Sequence, residues 1–292
     1  MSYAHIVVAT DFSEPSERAL DVANKLAERF GARVTLFHSY SILPPSAVYP
    51  DALWPAAHID VQLREDARRS LEALHRERLP NIERVDTVAV PHPNAAIAIS
   101  DYATDNGADL VMAGTHGRTG LAHVLLGSVA EALVRHAPCP VLVVRGNVER
   151  FPGHVLACTD FSEEAEPALE AAGHIARAFE AKVTLLHVYA DPPELPGLPE
   201  RPYRTVESVD KDMKKALADL ERKYFGGTVE TALLVAPNHS EAIATYAERH
   251  HVDLTVVATH GRTGIRRLLL GSVAEKVVRH APSSVLVARS RG

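Results

Sequence analysis

The chain is written twice, and this duplication restricts its possible folds more than any other feature. The segment HIVVATDFS at 5–13 returns as HVLACTDFS at 154–162, and ARVTLFH at 32–38 returns as AKVTLLH at 181–187. THGRTG stands at 115–120 and again at 259–264, followed in both places by LLGSVAE, at 125–131 and 269–275. The early part of the repeat is displaced by 149 residues (154 minus 5) and the late part by 144 (259 minus 115). The copies therefore differ by a net five residues in their middles, where the proline-rich stretches Pro44–Trp54 and Asp191–Tyr203 read as irregular loops. A period this long signals duplication of a whole domain. The boundaries fall at 1–146 and 150–292, with a short join.

Within each copy, strand and helix patterns alternate. Ile6–Ala9 is a short apolar run, as expected of a strand buried on both faces. Ser13 offers an N-cap and Pro15 a first-turn residue. Ala19, Val22, Ala23, Leu26 and Phe30 then follow at helical spacing, and Gly31 is placed to end the helix. Further strands are expected at Val34–Phe37, 85–90, 109–113 and Val141–Val144. Helices are expected at about 60–78, 95–106 and from Ser128, and the pattern repeats in the second half. This order predicts an α/β architecture: two tandem flavodoxin-like (Rossmann-like) domains, each a five-stranded parallel sheet with helices on both faces. In such sheets ligands bind beyond the carboxyl ends of the strands where the winding reverses, which selects the loops after the first and fourth strands.

Composition removes several classes of function. A formal charge of -6 and a pI near 6.2 supply no basic field, so nucleic acid is not an expected partner. No apolar run is long enough to cross a bilayer, and MSYAHIVVATDFS lacks the pattern of a signal peptide, so no membrane association and a cytoplasmic location are expected. The two cysteines, Cys139 and Cys158, sit in apolar surroundings and read as core residues, not as a disulfide framework or zinc site. His38 and His187 are expected to make local hydrogen bonds at strand ends, and His136 and His280 to complement helix C-termini.

The loop after the fourth strand carries the informative spacing, Gly114-x2-Gly117, nine residues, then Gly127-Ser128. Glycine lets a backbone approach an anion without an intervening Cβ. A helix opening at Ser128 offers unpaired N–H groups and the positive end of its dipole to phosphate, and Arg118 could add a charge-assisted contact. The same residues permit a plainer reading. Ser128 with Glu131, like Ser272 with Glu275, spells a capping box, the glycines could serve tight turns, and Asp11 could simply hold an Asx-type turn.

Over nearly its whole length the chain resembles a tandem universal stress protein. The resemblance rests on Asp11 after the first strand, His38 ending the second, and the Gly-x2-Gly-x9-Gly-Ser loop, all in matching order. It implies ATP, with or without Mg2+, held in an extended crevice. Thr10 and Asp11 would lie beside the ribose or adenine, the Ser39 backbone would line the adenine pocket, and Gly114, His116, Gly117, Gly127, Ser128 and Val129 would surround the phosphates. The second domain offers Thr159, Asp160, Val188, His260, Gly261, Arg262, Gly271, Ser272 and Val273. It departs from the pattern at Ala258, where the first glycine is missing. A methyl there is harmless at negative φ, and damaging if the site demands positive φ or close approach.

No Walker loop, dinucleotide fingerprint or nucleophile elbow occurs, and no committed general base stands out, so catalysis is not expected beyond slow ATP hydrolysis. The competing reading is an interaction scaffold with no nucleotide duty. The proline-rich segments 43–55 and 190–203 read either as lids over the crevices or as disordered connections, and their place near the pocket in both halves favours lids. The apolar last strands, Val141–Val144 and Val285–Ala288, would be liabilities as open sheet edges. In the family such strands pair across a two-fold axis, so the resemblance implies a pseudo-two-fold dimer within one chain, with a further homodimer left open. Val143→Asp should then loosen the pairing of the domains, detectable as a larger radius of gyration by solution scattering. Unchanged compactness would count against it.

Overall fold

The computed structural model describes residues 3–41, 56–115, 126–146, 148–190, 206–227, 229–259 and 270–289. The chain divides into two compact units, Ser2–Val148 and Glu149–Ser290. The first contains β1 (His5–Ala9), α1 (Glu14–Phe30), β2 (Arg33–Tyr40), α2 (Ala56–Arg78), β3 (Val85–Pro91), α3 (Ala95–Asp105), β4 (Leu110–Gly114), α4 (Ser128–His136) and β5 (Val141–Val144). The second contains β6 (His154–Cys158), a 3-10 turn (Glu163–Ala165), α5 (Glu166–Phe179), β7 (Lys182–Tyr189), α6 (Val206–Phe225), β8 (Glu230–Val235), α7 (His239–Arg249), β9 (Leu254–Ala258), α8 (Ser272–His280) and β10 (Ser284–Ala288). Both lid segments expected from the sequence fall almost wholly outside the described residues.

Each unit is a five-stranded sheet, ordered β3-β2-β1-β4-β5 in the first and β10-β9-β6-β7-β8 in the second, with every pairing within a unit parallel. Winding runs outward from β1 to β3, then returns past β1 to β4 and β5. Right-handed crossovers therefore send the outward helices to one face and the returning ones to the other. Consistently, α1 touches α2 and α3 touches α4. The continuous apolar strands follow from this double cover, with Ile6, Val7 and Val8 fully buried and Val111 and Met112 buried beside them.

α1 forms because Ala19, Leu20, Val22, Ala23, Leu26 and Ala27 make one buried stripe, with Ser13 as N-cap, proline in the first turn and Gly31 at φ 65° ending it. α5 ends instead on Glu180 at φ 55°, a left-handed conformation that costs a side-chain-bearing residue about 1–2 kcal/mol. Both cysteines are buried, and burial pushes the Cys158 thiol up to about 12.

At the amino ends of the sheets, one aspartate in each unit joins the central strands. Asp109 Oδ2 accepts from the Ala4 and His5 amides, and Asp253 Oδ2 from those of Gly153 and His154. The His5 and His154 rings are buried beside these contacts, with Nε2 2.9 Å from Thr35 Oγ1 and 3.0 Å from Thr184 Oγ1 respectively.

At the carboxyl end, β4 runs tight against the start of α1. A Cβ built on Gly114 would lie 2.5 Å from the Pro15 carbonyl oxygen and 2.9 Å from the Ser16 amide nitrogen. Gly114 does not adopt a left-handed φ, so proximity to backbone is what demands glycine there. In the second unit the corresponding Ala258 faces a differently wound chain. Where Glu17 N–H bonds the Ser13 carbonyl (i to i+4), Ala165 N–H bonds the Ser162 carbonyl (i to i+3), and the first turn is 3-10. Rewinding this turn accompanies the methyl that the first unit could not admit.

Gly114→Ala should thus destabilise the first unit by about 1–3 kcal/mol through overpacking, while Ala258→Gly costs no more than about 1 kcal/mol. Urea unfolding of the full chain, with a probe in each unit, checks this, and equal losses would contradict it. Burial lowers the pKa of both His5 and His154 from 6.5, aided by the Arg33 and Lys182 charges. Below 6.5 the unfolded chain binds protons that the folded one refuses, so stability should fall as pH drops from about 6.5 through the depressed folded values. The slope of unfolding free energy against pH should flatten in a His5→Gln/His154→Gln variant.

Candidate functional site

The winding reverses between β1 and β4, and between β6 and β9, which leaves a crevice at their carboxyl ends. The loop after β1 forms one wall. Asp11 Oδ1 accepts from the Ser13 amide at 3.2 Å and from the Ser13 hydroxyl, and Asp160 does the same for Ser162. The Asx turn weighed from the sequence is therefore real. Ser13 occupies the N-cap position, but its hydroxyl serves Asp11 and makes no cap bond.

Between them stands Phe12 at φ 63°, matched by Phe161 at φ 65°. An aromatic residue in this region is strained by about 1–3 kcal/mol, and its neighbours must hold it there. The Phe12 amide donates to Thr10 Oγ1 at 3.1 Å, and its ring packs 4.5 Å from that of His38. His38 in turn donates from Nδ1 to the Thr10 carbonyl at 2.8 Å, and His187 to that of Thr159 at 2.7 Å. Both histidines thus make the local bonds expected of them.

The end of β2 forms the second wall. In a parallel strand the N–H and C=O of one residue point to the same side, and sides alternate along the chain. The Phe37 carbonyl accepts from Thr10 N at 3.0 Å on the β1 side, whereas the Tyr40 carbonyl accepts from His92 N at 2.9 Å on the β3 side. Ser39 therefore turns its main-chain N–H and C=O to the β1 side, where β1 has already ended at Ala9. Its hydroxyl donates to the His92 carbonyl at 3.0 Å. By the same register Val188 presents its main chain beyond β6, since Leu186 bonds Thr159 and Tyr189 bonds Ala236.

The third wall is the opening of α4. The capping box suggested by Ser-x-x-Glu does not form, because the N-cap is Gly127, no side chain caps, and Ser128 is the first helical residue. Glu131 turns toward Arg135 at 3.2 Å instead, and Glu275 toward Arg279 at 3.4 Å. The Gly127 N–H donates to the buried Thr115 carbonyl at 2.5 Å, and Gly271 N–H to the Thr259 carbonyl at 2.7 Å. One bond thus closes the base of each long loop and brings the helix start to the strand end. Ser128, Val129 and Ala130 occupy the first turn, whose amides have no intrahelical acceptor, and Ser272, Val273 and Ala274 repeat the arrangement. His116, Gly117 and Arg118, with His260, Gly261 and Arg262, lie outside the described residues.

The structure thus gathers Thr10, Asp11, Ser39, Gly114, Gly127, Ser128 and Val129 around one crevice, and Thr159, Asp160, Val188, Ala258, Gly271, Ser272 and Val273 around the other. Sequence reasoning passed over Phe12, Thr115 and Tyr40, whose hydroxyl donates to Asp60 at 2.9 Å and ties α2 to the end of β2. All three recur at the matching places, as Phe161, Thr259 and Tyr189, and this was the available signal.

Among the described residues no helix is long and apolar enough to cross a membrane. The profile of the universal stress protein family matches residues 2–145 and 153–289. A universal stress protein of Mycolicibacterium smegmatis is 28% identical over 98% of this chain and 97% of its own. A putative one from Staphylococcus epidermidis is 36% identical over 50% of this chain and 86% of its own. The crystal structure of a universal stress protein from Archaeoglobus fulgidus superposes with a TM-score of 0.73, both chains fully covered, at 18% identity, a likeness of fold alone. Since the family profile accounts for both halves, and the relative from Mycolicibacterium smegmatis spans them together, the chain belongs to the universal stress protein family.

Proposed function

We propose that the chain binds adenine nucleotide, ATP foremost, in the crevice of each domain, and that it acts in stress response or its regulation as a binding protein with at most slow hydrolysis. The observation that carries this reading is the pair of clamps, Gly127 to Thr115 and Gly271 to Thr259, which set the open first-turn amides of a helix at the mouth of the winding reversal. Main-chain donors at a helix start suit a polyphosphate, because their dipoles favour negative charge and glycine leaves room for approach. The Ser39 and Val188 main chains offer one donor and one acceptor side by side, which is what an adenine edge requires. Asp11 and Asp160 bring a carboxylate able to accept from ribose hydroxyls.

Hydrolysis would need an oriented water and charge stabilisation at the γ-phosphate, and among the described residues of the crevice no committed general base stands out. The scaffold reading has one observation in its favour: Asp11 and the Ser39 side chain already have partners within the chain.

Calorimetric titration of the full chain with ATP, with and without Mg2+, separates these readings. Gly127 sits at φ -62° and ψ 141°, which any residue adopts, so Gly127→Val should fold and yet block phosphate approach in the first domain, and Gly271→Val in the second. Two sites should fall to one in either variant and to none in the double variant. No heat from the unaltered chain, with no nucleotide carried through purification, would leave the scaffold. Rapid phosphate release in a single turnover would make the protein an enzyme.

A further inference from the structure

The two crevices share a plan but differ in how firmly their acidic loops are held. In the first domain a relay of hydroxyls ties the loop to its helix. The Phe12 amide donates to Thr10 Oγ1 at 3.1 Å, Thr10 Oγ1 lies 3.0 Å from Ser16 Oγ, and Ser16 Oγ donates to the Ser13 carbonyl at 2.8 Å. A hydroxyl has one hydrogen, and that of Ser16 goes to Ser13, so the bond between Thr10 and Ser16 uses the hydrogen of Thr10. Thr10 and Ser16 are both buried, and the relay closes around Asp11 and the strained Phe12.

In the second domain the relay stops halfway. Thr159 Oγ1 still receives the Phe161 amide at 3.0 Å, but the position of Ser16 is Ala165, which has no hydroxyl to continue the chain. The same turn is wound as 3-10, at the place where Ala258 replaces Gly114. Three differences, Gly114 against Ala258 on the strand and Pro15-Ser16 against Glu164-Ala165 on the helix, thus meet at one contact. The strand methyl of the second domain stands where the first brings a carbonyl, and Ala165 lacks the hydroxyl that fastens the turn to the loop in the first.

We infer that the first domain holds the tighter nucleotide site, with Ser16 and Gly114 as positioning residues that lock the Asp11 loop before ligand arrives, and that the second domain is the weaker, unlocked copy. This rests on the nucleotide reading above. A loop already fixed in its bound shape loses less freedom on binding, so the locked copy retains more of its contact energy as affinity. The second copy keeps the Asp160 turn and the Phe161 amide bond but lacks the link to its helix, so its loop has more freedom to lose when ligand binds.

The test uses the full chain and has one arm that needs no nucleotide. Amide exchange by NMR should be slower at Phe12 and Ser13 than at Phe161 and Ser162 by roughly three- to tenfold, the worth of one net hydrogen bond. Ser16→Ala should erase the difference, and Ala165→Ser/Ala258→Gly should slow exchange at Phe161. In the second arm ATP is titrated into Gly271→Val, which keeps the first site, and into Gly127→Val, which keeps the second. The first site should bind roughly three- to tenfold tighter, with Ser16→Ala closing the gap from one side and the Ala165→Ser/Ala258→Gly swap from the other. Equal exchange in the two loops, or a second site as tight as the first, would overturn the inference. ATP binding to neither domain, with the exchange difference intact, would overturn the nucleotide reading and the ranking of sites with it.

Discussion

Everything at the crevice depends on the pairing of β1 with both β2 and β4, and of β6 with both β7 and β9. Such a strand has no free edge and no free face, so its central residues have to be apolar, and in β1 the burial is complete from Ile6 through Val8. Because the neighbours on its two sides are reached by crossovers in opposite directions, the loops leaving β1 and β4 part to opposite faces. The gap between them follows from topology and does not have to be hollowed out of a core. Chain chemistry is then concentrated at the gap's rim, in the few residues that leave the strands and turn into helices.

Those rim residues reconcile two demands. Helix starts must come close enough to present their amides, yet backbones packed this tightly leave no room for side chains. Gly114 meets the demand by having none, and the Thr115 to Gly127 bond then fixes the next helix without any capping side chain. Where the second half carries Ala258, the adjustment appears in the facing helix, whose first turn tightens from i+4 to i+3 bonding. Interiors transmit volume changes to what they pack against, and here a single methyl is matched by a change of helical pitch one contact away.

The duplication, the element order and the parallel winding were legible in the sequence because period and burial are properties of whole segments. Helix and strand limits came within a few residues, and β2 ran further than its apolar core suggested, to Tyr40. The misreading was local. Ser128 with Glu131 has the letters of a capping box, but a cap is decided by which residue leaves helical geometry first, and the bond to Thr115 makes that residue Gly127. The strained Phe12 was equally hidden, since aromatic residues give no sign of positive φ. The surrounding hydroxyl and histidine contacts hold it there. Asp11 was read in two ways, and its turn-forming role is visible in both halves.

A duplicated domain offers an internal control that a single domain lacks. Residues retained in both halves at matching places, such as Phe12 and Phe161 or Thr115 and Thr259, meet the same steric requirement twice. Residues that differ identify which requirements are negotiable. By that comparison the clamp at the helix start and the strained turn are fixed parts of the plan, whereas the glycine on the strand and the serine on the helix vary together. Their joint change has a physical basis, because an α-helical first turn at Ala258 would place a carbonyl where the methyl stands. Divergence between the halves is thereby channelled to the packing behind the acidic loop, where it alters how the loop is held without altering which groups the loop presents.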